Sequence, residues 1–132
     1  MPISDLLTTK LVTIKTSQTL REIEPMVARH RIHNLLVMEG VRLVGLVTDR
    51  DLFRNLSPFV HTQVADERDA FLLERTAGQI MNKQLVIIEP HAGIRDACRL
   101  MLEEAVSLLP VVEDGKLVGV VSWKDILRYF LD

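Results

Sequence analysis

The chain has 132 residues, 48% of them hydrophobic and 26% charged, with a formal net charge of −2. That balance suits a folded chain rather than a disordered one, and the missing basic surplus, with only 5% aromatics, argues against nucleic acid or an anionic membrane as partner. Its single cysteine, Cys98, cannot close an intrachain disulfide, "MPISDLLTTK" lacks the pattern of a signal peptide, and no run of about 20 apolar residues is present, so a cytoplasmic protein is expected.

In chain order, "LVTI" (Leu11–Ile14) is a short β-branched run and reads as a strand. Leu20, Ile23, Val27 and Ala28 then recur at three-and-four spacing, the mark of a helix with one apolar face. Pro25 is awkward inside it, because an interior proline removes a hydrogen bond. The helix should therefore kink, or begin nearer Glu22. "NLLVME" and "RLVGLVT" follow as two strands joined at Gly40–Val41, a tight-turn signal. Thr48 opens the next helix as an N-cap, with Asp51 three residues on.

Residues 57–75 read as a linker. A plain connector is the expectation, the alternative being a short amphipathic helix in "ADERDAFLLER" with Phe71 and Leu72 packing inward. Beyond it the pattern returns. "LVII" (Leu85–Ile88) is a strand; Ile94, Ala97, Cys98, Met101 and Leu102 form an apolar helical face; "SLLPVVE" and "KLVGVVS" are strands joined by Asp114–Gly115; Ser122 caps a last helix, with Asp125 in its first turn. Sliding the chain by 74 residues aligns Ile3–Leu56 with Ala77–Phe130 without a gap. The identities include Leu11/Leu85, Arg21/Arg95, Leu35/Leu109, Gly45/Gly119, Asp51/Asp125 and Arg54/Arg128. The chain is thus a duplication, with one motif in 1–56 and the other in 76–132. At under 60 residues each half is too small to be comfortable alone, so the two should share a core.

"GLVTDRDL" (Gly45–Leu52) and "GVVSWKDI" (Gly119–Ile126) resemble the signature of cystathionine-β-synthase (CBS) domains: Gly, two apolar residues, Thr or Ser, two variable residues, Asp, then apolar. "SLLPVVEDGKLVG" is similar to the strand pair that precedes it in that family, and the first copy departs by carrying Leu36 where the second has Pro110. The resemblance covers nearly the whole chain. It implies an α+β fold of two tandem strand-helix-strand-strand-helix motifs, packed with pseudo-two-fold symmetry into one Bateman module that commonly pairs into a homodimer. The implied role is regulatory and not enzymatic. No cofactor is required. AMP, ADP, ATP or S-adenosylmethionine would bind between the motifs, and a separate effector protein would read the change.

Elementary chemistry is compatible with that role. A carboxylate can accept from both ribose hydroxyls, and a hydroxyl with amides at a helix start offers donors to phosphate. The same Thr/Ser and Asp pairs are equally ordinary helix caps that bind nothing. The resemblance implies two clefts, each taking its hydroxyl and carboxylate from one motif and its walls from the other. Cleft A joins Val120, Ser122 and Asp125 to Lys15, Leu20, Ile32, His33 and Asn34. Cleft B joins Leu46, Thr48 and Asp51 to Glu89, Ile94, Val106, Ser107 and Leu108. Lys15 at the mouth of cleft A favours a phosphate, and Glu89 at the mouth of cleft B opposes one. A ligand-free dimerisation or scaffold module is the competing reading.

Other residues point less far. His30, His33, His61 and His91 lack the companion ligands of a metal site. Cys98 reads as an inert core thiol. Trp123 suits a lid or a dimer-contact anchor, and the pairs Arg50/Arg54 and Lys124/Arg128 a solvated face or a phosphate clamp.

Overall fold

The computed structural model describes residues 2–9, 11–30, 33–56 and 67–132, and the side chains of all of these except His30, Glu67, Arg68 and Asp69. Two compact units result: a continuous one, Val12–Leu85, and a split one made of Met1–Leu11 and Val86–Asp132.

The continuous unit runs β1 (Thr13–Lys15), α1 (Leu20–His30), β2 (Asn34–Glu39), β3 (Arg42–Thr48), α2 (Asp49–Asn55), α3 (Glu67–Leu73) and α4 (Ala77–Ile80). Its sheet has the order β1-β2-β3, with β1 parallel to β2 and β2 antiparallel to β3. Ile14, Leu20, Ile23, Val27, Leu35, Val37, Val47, Leu52 and Ala77 form its core. Burying each large apolar side chain contributes about 1.5–3 kcal/mol.

The split unit has a 3-10 turn (Ile3–Asp5), α5 (Ile94–Glu104), β4 (Leu108–Glu113), β5 (Lys116–Ser122) and α6 (Trp123–Leu131), with β4 antiparallel to β5. Ile3, Ile88, Ile94, Ala97, Met101, Leu109, Val111, Val121 and Ile126 form its core.

The duplication is visible to the single residue. β2 and β4 share one burial pattern, as do β3 and β5, and a register irregularity falls at Val37/Met38 and again at Val111/Val112. The hairpin turns differ in kind. Gly40 alone has positive φ (61°) in the first, whereas Asp114 and Gly115 both do (52° and 78°) in the second. These are the sign patterns of type II′ and type I′ turns, which match the right-handed twist of paired strands.

The lead segment of each repeat packs with the body of the other repeat. In the split unit Ile3 N–H donates to Ala92 O (2.8 Å), Ser4 N–H to Pro90 O (2.9 Å), and Thr8 and Val120 exchange both backbone bonds. Seventy-four residues on, the continuous unit has Ala77 to Gln18 (2.8 Å), Gly78 to Thr16 (2.9 Å) and the Asn82–Leu46 exchange. The repeat is the unit of sequence, and the exchanged assembly is the unit of packing.

Four expectations need correction. Leu85–Ile88 is not a strand: only Ile88 bridges Val111, through Ile88 N–H to Pro110 O and Val112 N–H to Ile88 O, each 3.0 Å. The continuous unit gains a further rung because Leu36 N–H donates to Val12 O at 3.3 Å. Pro110 stands at the matching position and has no N–H to give Val86. Second, α1 starts at Leu20 and runs through Pro25, so the later start near Glu22 is not taken. Thr19 O accepts from both Glu22 and Ile23, which fixes the early start. Third, 67–73 is helical rather than a plain connector; of the rest of the linker, Glu74 and Arg75 follow the helix and 57–66 lies outside the described residues. Phe71 of that helix is 72% exposed while Leu73 is buried, so the inward face is set one turn-step away from the expected one. Fourth, Leu102 does not join the apolar interior of α5; it is 83% exposed.

Candidate ligand-binding site

Each repeat delivers its hydroxyl and carboxylate in the same local frame. β3 ends at Thr48, whose extended backbone (φ −97°, ψ 163°) turns the chain into α2. Asp51 N–H donates to Thr48 Oγ1 at 3.1 Å, and Thr48 N–H donates to Asp51 Oδ2 at 3.0 Å. Ser122 does the same for α6: Ser122 N–H to Asp125 Oδ2 is 2.8 Å, and Asp125 N–H to Ser122 Oγ is 3.3 Å. Both are reciprocal capping boxes. The cap reading therefore holds for both pairs, with a contribution of about 1 kcal/mol each.

A cap does not exhaust a carboxylate, which has about four acceptor sites. Of the two cap bonds only the one from Thr48 N–H uses the Asp51 carboxylate, at Oδ2, which leaves Oδ1 outside the cap. In Asp125, Oδ2 also accepts from Ser122 Oγ at 3.0 Å, and Oδ1 lies 3.6 Å from Arg128 Nη1, a side chain 73% exposed. That longer contact is weak and open to replacement by solvent or a ligand hydroxyl.

The expected wall residues fall into two groups. Lys15 is exposed at the end of β1, with its N–H donating to Gln18 Oε1 (2.8 Å). His33 and Asn34 lie at the start of β2, and Leu46 is half-buried on β3. In the split unit Glu89 is exposed, its Oε2 2.8 Å from His91 Nε2; Val106, Leu108 and Val120 are half-buried, and Ser107 is exposed. Leu20 and Ile94 differ from the rest. They begin α1 and α5 and are 0% and 8% exposed, packed within the cores of their two units. Ile32 lies outside the described residues. Of the residues expected for cleft A, Val120, Ser122 and Asp125 belong to the split unit and Lys15, His33 and Asn34 to the continuous one; those expected for cleft B divide the other way.

One charged contact was missed in the sequence. His33 Nδ1 lies 2.8 Å from Asp49 Oδ2, and Asp49 N–H donates to His33 O at 3.0 Å. The hydrogen bond from His33 is the main cause holding the Asp49 carboxyl below its ordinary range; partial burial pushes the other way, and the Arg50 N–H (2.8 Å) and charge add to the lowering. The signal was available, since Asp49 fills the first variable position after Thr48. At the matching place Trp123 N–H donates to Ser107 O (3.0 Å), so the backbone bond is kept and the ion pair is not.

The remaining candidates resolve simply. His33 and His91 meet carboxylates at the surface, the His30 side chain and His61 lie outside the described set, and among the described residues no group of three or more His, Cys, Asp or Glu is placed to hold a metal ion. Cys98 is half-buried against the split core. Among the described residues, no helix is long and apolar enough to cross a membrane.

The match to known proteins follows the two repeats. The model of the CBS domain matches residues 3–58 and again 77–132. The chain belongs to the CBS domain family. CBS domain-containing protein YhcV of Bacillus subtilis is 28% identical over 124 residues, covering 94% of this chain and 81% of that one. A CBS domain-containing protein of Dictyostelium discoideum is 31% identical, covering 95% and 88%. Among solved structures, CBSX2 in complex with AMP is 26% identical with a TM-score of 0.81, covering 98% of this chain and 96% of that one. The fold is that of a tandem CBS pair.

Proposed function

We propose that the chain is a regulatory sensor that binds an adenosyl ligand through residues drawn from its two CBS motifs and signals to a separate effector protein. The observation that carries this reading is the pair of hydroxyl–carboxylate caps at the ends of β3 and β5, each with a carboxylate oxygen not used by the cap. The AMP complex of CBSX2, a relative of matching length, supports the ligand class.

In cleft A, Asp125 accepts from the ribose hydroxyls, displacing the long Arg128 contact. Ser122 and the first amides of α6 face the phosphate, Val120 walls the adenine, and Lys15 supplies the opposing charge. In cleft B, Thr48, Asp51 and Leu46 take those roles with Val106, Ser107 and Leu108. Glu89 at its mouth opposes a phosphate and suits an uncharged or cationic tail, the chemistry of S-adenosylmethionine rather than AMP. Binding acts on a partner only through different affinity for two arrangements of the chain, typically 1–3 kcal/mol.

A scaffold with closed clefts is the second reading. Its support is that the Ser122 hydroxyl and the Asp125 carboxylate already satisfy one another within the cap. Calorimetric titration with AMP, ADP, ATP and S-adenosylmethionine separates the two. A sensor shows binding of a phosphorylated adenosine that weakens tenfold or more in Lys15→Glu and in Asp125→Asn and persists in Glu89→Lys. Absence of binding by all four ligands overturns it in favour of the scaffold.

A further inference from the structure

Two successive residues at the end of the linker are tied to different helices of the continuous unit. Glu74 Oε1 accepts from Arg21 Nε of α1 at 2.8 Å, and Arg75 Nη1 donates to Asn55 Oδ1 of α2 at 2.6 Å. The two ties differ in setting. Both side chains of the Arg21–Glu74 pair are more than half exposed, and exposed ion pairs of that kind hold little. The Arg75–Asn55 bond is short, charge-assisted and partly buried, so water replaces it less readily. Asn55 suits its place because an amide both donates and accepts. Its Nδ2 donates to Asp51 O at 2.7 Å while its Oδ1 takes the Arg75 bond. A carbonyl on one side and a guanidinium on the other leave the amide one orientation. The linker is thereby fastened to the helix that carries Asp51.

From Arg75 onward the backbone lies as a strap along the turn between β1 and α1. Leu20 N–H donates to Arg75 O (2.8 Å), Ala77 N–H to Gln18 O (2.8 Å) and Gly78 N–H to Thr16 O (2.9 Å). Gln18 in turn takes the Lys15 N–H on its Oε1 at 2.8 Å. A Cβ on Gly78 would stand 3.3 Å from Thr16 O, closer than carbon and oxygen ordinarily pack, so the strap lies tight on the turn. The split unit keeps the strap, since Ile3 and Ser4 repeat the bonds of Ala77 and Gly78 to Ala92 O and Pro90 O. Its sequence cannot rebuild the side-chain tie. The positions matching Arg75 and Asn55 are Met1 and Tyr129, and a thioether has no N–H to give. The residue matching Lys15 is Glu89. The tie thus accompanies the turn that carries a cation and not the one that carries a carboxylate.

We propose that Arg75 is a positioning residue for Lys15. Anchored on α2 through Asn55, it holds the strap that fixes the turn from Lys15 to Leu20, and with it the place from which the Lys15 ammonium meets a phosphate. The fixing of the turn is a property of the chain alone, and its use toward a phosphate rests on the ligand reading above.

Amide hydrogen exchange and calorimetric titration of the full chain test the two parts. Without ligand, Arg75→Met should speed exchange of the Leu20, Ala77 and Gly78 amides at least tenfold and leave Leu35 and Val47 as in wild type. Arg75→Lys, which keeps a charged donor, should restore most of that protection, and Arg21→Met should leave the three amides within about twofold. AMP should bind Arg75→Met at least fivefold more weakly than wild type, whereas adenosine, which has no phosphate, should bind both alike. In a Lys15→Ala background, Arg75→Met should cost AMP nothing further, as expected of a residue that acts through Lys15. Unchanged exchange at the three amides, or a loss spread equally over β2 and β3, overturns the proposal whether or not nucleotide binds. An adenosine affinity that falls as far as that for AMP overturns it too. A wild type that binds neither ligand removes the ligand reading, and the exchange result alone then decides on Arg75. If Arg75→Met does not fold, Asn55→Ala, which removes the same tie from the other side, carries the same test.

Discussion

The continuous and split units were built from one duplicated sequence, and they differ most where each receives its borrowed lead segment. In the split unit the segment brings Ile3, fully buried among Ile94, Leu109 and Ile126. In the continuous unit the matching residue is Ala77, also fully buried but with three fewer carbons to contribute. The continuous unit compensates in its sheet, where β1 adds a parallel strand that the split unit reduces to one bridge. A small body can thus be completed by side-chain volume or by a strand. The duplication kept the hydrogen-bonding frame and let that choice drift.

The sharpest way to break this comparison is Ile3→Ala. Removing a fully buried isoleucine costs about 2–4 kcal/mol in transfer and cavity terms. Urea unfolding should show that loss, and amide exchange should place it in β4, β5 and α5 while β1–β3 keep their protection. Equal loss of protection in both units would mean that they unfold as one cooperative block, and the division drawn here would have no energetic content.

Two glycines sharpen the same contrast. A Cβ on Gly119 would lie 2.9 Å from the Thr8 carbonyl oxygen and 2.5 Å from Leu7 Cδ1, while the three nearest atoms to one on Gly45 all belong to the Met81 side chain: the movable Sδ and Cγ, and Cβ at 2.9 Å. Backbone cannot move aside cheaply, whereas a thioether chain can. Gly119→Ala should therefore lower stability by about 2–3 kcal/mol and Gly45→Ala by about 1 kcal/mol. Chemical denaturation of the two variants checks the order, and equal losses would show that Met81 is pinned as firmly as the Thr8 backbone.

Local pattern was legible in the sequence, and exchange was not. Hairpins, caps and helix positions follow from periodicity and turn chemistry, because those forces act within a few residues. Thr48, Asp51, Ser122 and Asp125 fell where their spacing put them. Which body Ile3 or Ala77 would complete is a long-range matter on which the repeat register is silent. The strand expected at Leu85–Ile88 failed for a reason that was in plain view. Pro110 cannot donate to Val86, but that matters only once one knows which neighbour β4 faces. Leu20 and Ile94 show the same limit within the site. The family motif marked them as wall while helical periodicity put them on an apolar face, and it is the apolar face that their burial bears out.

The smallest difference between the units is electrostatic and can be read by titration. His33 holds the Asp49 carboxyl below its ordinary value of 3.8, so the folded state favours the charged form. The sign follows directly: the contribution is complete above pH 3.8 and is lost as pH falls below that value through the lowered folded one. His33→Ala should move the Asp49 carboxyl resonance upward toward 3.8 in a carbon-detected NMR titration. At neutral pH the same variant should change stability by less than about 1 kcal/mol, because the pair is largely exposed. The split unit has Ser107 and Trp123 at these positions and keeps only the backbone bond between them, so the His33–Asp49 contact has no counterpart there. An Asp49 resonance that titrates unchanged in His33→Ala would place the cause in Arg50 and the helix start instead, and the contrast would then rest on the backbone common to both repeats.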